Sequence, residues 1–175
     1  MSAKRPHKNL ERLLEALAAI AAERRPVLVI PGYATPYEAV LRERADALGV
    51  RDDVRWLGWV SGPELEGLYA LADAFVFPSL YEGFGLPVLE AMRRGVPVAC
   101  SDRSSLPEVA GHAALLFDPE DPRAMTVAIE RLLSDRAEAD RLRAAGRAQA
   151  ARFTWGATAR ATAASYDRVL RRGSA

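Results

Sequence analysis

Five short apolar runs, separated by stretches with helical spacing, restrict this chain to a narrow set of folds. The runs span residues 27–30, 54–57, 74–77, 96–100 and 114–117. Most are continuously apolar rather than alternating, as a strand covered on both faces requires. Leu10, Leu13, Leu14, Leu17 and Ala21 recur at helical intervals and form one apolar stripe. Leu65, Leu68, Tyr69 and Ala72 repeat the pattern, as do Met125, Ala128, Ile129, Leu132 and Leu133. Alternation of this kind predicts an α/β fold, an open parallel sheet doubly wound with helices on both faces.

Boundary signals agree with that reading. Thr35-Pro36-Tyr37-Glu38 and Ser61-Gly62-Pro63-Glu64 both read as capping boxes, and Asp121-Pro122 opens another helix. Gly49 and Gly95 stand where helices should end. After Phe117 the pattern is helical only, through residues 121–135, 137–152 and 157–172. No low-complexity linker sets this tail apart, so residues 1–175 are expected to form one domain that includes the helical tail 121–175. The beginning is unusual: residues 1–8 offer no apolar run, whereas a doubly wound sheet normally begins with a strand.

Composition narrows the function. A net charge of +1 argues against a dedicated nucleic-acid binder. No transmembrane run or signal peptide is visible, so a cytoplasmic protein is expected, at most peripherally attached to a membrane. The one cysteine, Cys100, fits a reducing compartment and reads as core filler in an apolar strand. His7 and His112 lack metal-ligand spacing and are expected on exposed loops; no metal site is expected.

The chemistry concentrates in residues 75–90. A strand ends near Pro78, a loop with two glycines follows, and Pro87 marks a helix start. This sets Gly83, Phe84, Gly85 and Leu86 at a helix N-terminus, where free amides and the helix dipole suit a phosphate. Glu90, expected in the first turn of that helix, can accept bonds from two neighbouring hydroxyls, as a ribose presents. Glu82 can accept from a second sugar. Both carboxylates are expected to face one pocket. A glutamate early in a helix is also common simply because it complements the dipole.

The segment Glu82-Gly-Phe-Gly-Leu-Pro-Val-Leu-Glu90 resembles the paired-glutamate motif of the group 1 glycosyltransferases, a retaining family with two Rossmann-like domains, the GT-B fold. Residues 6–10, 53–60, 72–79, 95–98 and 105–109 follow the family's order as well. The resemblance covers nearly the whole chain and implies the Rossmann-like C-terminal half, which binds the nucleotide-sugar donor. It implies that Glu82 contacts the transferred sugar, Glu90 the ribose, and main-chain groups of Gly83, Phe84, Gly85 and Leu86 the diphosphate and sugar. Lys8 resembles the family's phosphate-binding lysine, which offsets charge on the leaving group. Gly58, Trp59 and Val60 would lie under the base, although Trp59 can equally be a packing residue. A UDP-sugar or GDP-sugar is the implied substrate, a hexose the transferred group, and no cofactor is called for.

Two departures from the family pattern stand out. The N-terminal acceptor-binding domain is absent from the chain, as is the donor domain's first strand with the glycine and arginine that end it. In a 3-2-1-4-5-6 sheet that strand is central. The chain can be a fragment, take the strand from elsewhere, or close its sheet without it; the fragment reading predicts no sugar transfer by these residues alone. Two alternatives stay open. One is a non-catalytic module that binds a nucleotide sugar or a protein. The other is an NAD(P)-dependent oxidoreductase, suggested by Gly83-Phe-Gly85 before a helix and Asp102 some way on, but weakened by Val88 at the third glycine position.

Overall fold

A computed structural model of the chain describes residues 4–172. Five parallel strands alternate with helices: β1 (Leu28–Ile30), β2 (Val54–Trp56), β3 (Phe75–Phe77), β4 (Val98–Ser101) and β5 (Ala114–Phe117). The helices are α1 (Leu10–Ala19), α2 (Tyr37–Ala47), α3 (Gly62–Leu71), α4 (Leu86–Arg93), α5 (Leu106–Ala110), α6 (Pro122–Ser134), α7 (Arg136–Ala151) and α8 (Trp155–Arg172). Each expected apolar run carries a strand, and the three tail helices form where the spacing places them.

The strands do not make one sheet. β1 pairs with β2 alone, and β3, β4 and β5 form a separate three-stranded sheet in that order. No hydrogen bond joins β1 to β3 among the described residues, so the sheet does not close without the strand that a 3-2-1-4-5-6 order sets between them. Helix α1 spans both halves instead. Its Leu13, Ala16 and Ile20 share a core with Ala99, Phe117 and Met125, while Leu14 and Leu17 pack with Ile30, Leu41 and Val54. Two neighbouring rows of one helix therefore serve two cores.

The segment leading into α1 is pinned at the carboxyl ends of both half-sheets. Lys4 is buried, and its Nζ donates to Gly32 O (2.7 Å) and Leu57 O (3.1 Å), just beyond β1 and β2. The Asn9 amide donates to Pro78 O (3.1 Å) and Pro119 O (2.7 Å), just beyond β3 and β5. Asn9 sits at φ 58°, a left-handed conformation that asparagine tolerates better than most residues.

One capping expectation fails. Ser61 and Glu64 form the expected reciprocal box at α3, and the Asp121 carboxylate caps α6. At α2, however, Pro36 occupies the cap position in a helical conformation and offers no side chain to the amides. The Thr35 hydroxyl donates to Lys4 O (2.6 Å), and Glu38 binds the Lys4 ammonium at 3.0 Å and Arg42 at 2.7 Å. A buried ammonium competes more strongly for a carboxylate than a neutral amide does.

Helices α6 and α7 are well packed, through Met125, Ile129 and Leu132 in one and Leu142, Gly146 and Ala150 in the other. Gly146 lies under α4: an added Cβ would meet Met92 Cγ at 3.2 Å. Helix α8 differs, being exposed along nearly its whole length. No helix among the described residues is long and apolar enough to cross a membrane.

Candidate functional site

Beyond β3 the chain turns outward through Leu80–Phe84 and returns as α4. Gly85 makes the return possible: its φ is +105°, and a Cβ there would lie 2.7 Å from Leu106 Cδ2. The dihedral favours glycine, and the Leu106 methyl would have to shift for any other residue. Pro87 stands in the first turn of α4, as expected. The amides of Gly83, Phe84, Gly85 and Leu86 donate to no group among the described residues. The Val88 amide, by contrast, is used on Gly85 O at 3.0 Å. Four consecutive free donors at the positive end of a helix form an anion cradle.

Lys8 and Glu82 meet beside this cradle. Lys8 ends a 3₁₀ turn, Pro6–Lys8, which is tied to the acidic loop by Leu80 N–H donating to His7 O at 2.8 Å. Lys8 Nζ lies 2.6 Å from Glu82 Oε1 and 5.3 Å from the centre of the Phe77 ring. Their side chains are 15% and 14% exposed, so water screens the pair only in part. The structure thus brings together two groups separated by 74 residues.

Glu90 is placed differently from expectation. Helix α4 begins at Leu86, directly after the left-handed Gly85, so its first turn carries no acid and Glu90 falls in the second. It is half-buried and accepts a 3.3 Å bond from the Tyr69 hydroxyl of α3. Burial, with the adjacent Glu90 charge, pushes the Tyr69 phenol above its ordinary range. Arg94, paired with Glu66, covers the Tyr69 ring at 4.8 Å. Glu82 and Glu90 share no hydrogen bond among the described residues.

The loop after β2 completes the edge. Gly32 N–H donates to Gly58 O (3.1 Å), joining the loops that follow β1 and β2. The Trp59 side chain is 61% exposed, so it is not a core residue. Gly58, Gly83, Phe84 and Leu86 are exposed too, and Val60 is half-buried. The candidate site is therefore an open shelf along the sheet edge. Cavities of about 550 Å³ beside Asp73, Arg136 and Arg143 and about 310 Å³ beside His112 and Gln149 lie among other residues.

Sequence reasoning missed the groups that hold the acidic loop. Ser104 Oγ accepts from Glu82 N–H at 3.0 Å, and Ser105 Oγ lies 2.8 Å from Phe84 O and 3.0 Å from Glu82 O. Ser105-Leu-Pro-Glu108 has the spacing of a capping box, yet the Ser105 hydroxyl makes no bond to the start of α5. That unused cap is visible only once the structure is known. Tyr69 belongs to a helix stripe in the sequence, which carries no sign of its bond to Glu90.

Sheet edge, glycine turn and helix start define a Rossmann-like α/β domain with a row of free amides at the start of α4. Residues 1–149 match the family model for glycosyl transferases group 1, and the chain belongs to that family. It is 44% identical to the O-antigen chain mannosyltransferase B of Escherichia coli over 153 residues, which is 86% of this chain and 40% of that protein. Sucrose-phosphate synthase from Thermosynechococcus elongatus superposes with a TM-score of 0.81 at 30% identity, covering 96% of this chain and 44% of that one. The fold is shared with Anabaena HepE, a structure in complex with UDP and glucose, at a TM-score of 0.78 and 23% identity over 86% of this chain and 42% of that one. The chain spans less than half the length of the curated relatives it matches. Membership of this family removes the oxidoreductase alternative.

Proposed function

We propose that this chain is the donor half of a glycosyltransferase, binding a nucleoside-diphosphate sugar for retaining transfer of a hexose. The observation that carries the reading is the row of free amides at Gly83–Leu86 beside the Lys8–Glu82 pair. In this reading the amides hold the diphosphate, and Lys8 turns from Glu82 to the phosphates, where its charge stabilises the leaving nucleoside diphosphate. Glu82, released from the ammonium, accepts the sugar's hydroxyls. Glu90, oriented by Tyr69, accepts from the ribose, and the main chain of Gly58–Trp59–Val60 lies under the base. Mannosyltransferase relatives favour a mannosyl group, while the UDP bound by HepE keeps a uridine donor in contention.

Residues 1–175 act as one donor domain that works with a second, acceptor-binding domain. The shelf-like site supports this, since a cleft with one wall cannot exclude water from the reacting centre. A single buried cysteine suits the reducing cytoplasm, the compartment this reading assigns. Calorimetry with UDP-glucose and GDP-mannose tests the assignment. One of the two should bind, and Glu90→Ala should weaken it by about 1.5–3 kcal/mol, the worth of charge-assisted bonds to a ribose. Equal affinity in the variant would remove Glu90 from the site. Sustained sugar transfer by residues 1–175 alone would refute the division of labour.

A further inference from the structure

We infer that Ser104 and Ser105 are positioning residues, a two-hydroxyl clamp that holds the donor loop in its binding shape; the inference rests on the donor-site reading above. The loop from Glu82 to Leu86 leaves Gly83, Phe84 and Leu86 exposed, with the Phe84 ring meeting Phe153 edge-on at 5.9 Å and Gly85 buried. Its polar backbone groups divide into two sets. The Ser104 hydroxyl accepts from the Glu82 amide at 3.0 Å, and the single Ser105 hydroxyl proton is shared between the Phe84 and Glu82 carbonyls at 2.8 and 3.0 Å. The amides of Gly83 to Leu86 are left free. Binding one set from the protein side turns the other set outward, so the clamp decides which way the cradle faces.

Two local features accompany these bonds. Ser105 occupies the cap position of α5 but leaves that helix's amides alone. Ser104 lies at φ 53°, a conformation that costs a serine energy and that glycine would adopt freely. The serine there supplies an oxygen that glycine cannot. The clamp also fixes the Glu82 backbone on both sides, and with it the reach of the carboxylate toward Lys8.

Ser104→Gly removes the oxygen while easing the backbone, and Ser105→Ala removes the second hydroxyl. Each is expected to weaken binding of whichever probe the native chain takes, UDP-glucose or GDP-mannose, roughly fivefold. Backbone ¹⁵N relaxation of the ligand-free protein should show lower order parameters confined to residues 82–86. Ser104→Asn, which accepts a bond and tolerates the left-handed region, and Ser105→Thr should restore both readouts. Native affinity in the Ser104→Gly/Ser105→Ala double variant would overturn the clamp and leave the donor site standing. Weakened binding with unchanged loop order would overturn it as well. If the native chain binds neither probe, the donor-site reading falls and the clamp falls with it.

Discussion

The two half-sheets differ in that only the three-stranded one has a strand flanked on both sides. In the three-stranded half, β4 is buried at all four positions, with Val98, Ala99 and Cys100 fully enclosed. Burial pushes the Cys100 thiol up to about 12. In the two-stranded half, Val27 and Val29 are 56% and 39% exposed although both belong to an apolar run. The contrast shows that a run is buried at every position only where strands flank it on both edges and layers cover both faces. It also divides the proposed donor site. The phosphate and sugar positions belong to the closed half, whereas Gly58, Trp59 and Val60 belong to the open one.

Mutations can break or sharpen this comparison. Met92, fully buried where α4 meets α7, should cost about 2–5 kcal/mol when changed to alanine, measured by denaturant unfolding. Lys4→Met should cost about 2 kcal/mol at neutral pH, because it unties the carboxyl ends of β1 and β2 and one partner of Glu38. Burial alone would raise the Glu38 carboxyl, but bonds from Lys4 and Arg42 hold it below its ordinary 4.5. A depressed carboxyl stabilises the fold above that ordinary value, and the contribution is lost as pH falls through the lower folded value. The native chain and Lys4→Met should therefore converge in stability on acidification below pH 4.5; a gap that widens would contradict the pairing. Val29→Ala should cost less than about 0.5 kcal/mol. A loss at Val29 matching that at Met92 would mean that β1 is covered after all.

Much of this was legible in the sequence because periodicity reports burial locally. The five runs, the Ser61 box, Pro87 and the glycines at 49 and 95 each act within a few residues, and each falls where expected. Resemblance to a family names Lys8 and Glu82 separately, but their ion pair is long-range and is visible only in the structure. What stayed hidden depends on competition or on distance. Thr35 has the residues of a capping box, but Lys4, 31 residues away, takes its oxygen's proton and Lys4's ammonium takes Glu38. Glu90 moved to the second turn because one left-handed glycine set the helix start. Ser104 and Ser105 serve a loop more than twenty residues back, and no local pattern encodes that.

Helix α8 carries a separate consequence for how the molecule comes apart. Its 18 residues are near the length at which a free peptide in water is only marginally helical. With Trp155, Tyr166 and Val169 all more than 60% exposed, little tertiary burial supports it. The helix–coil balance of this segment is then largely its own affair. On warming, ellipticity should fade gradually from the tail before the cooperative melt, and a protease should trim the tail while the rest resists.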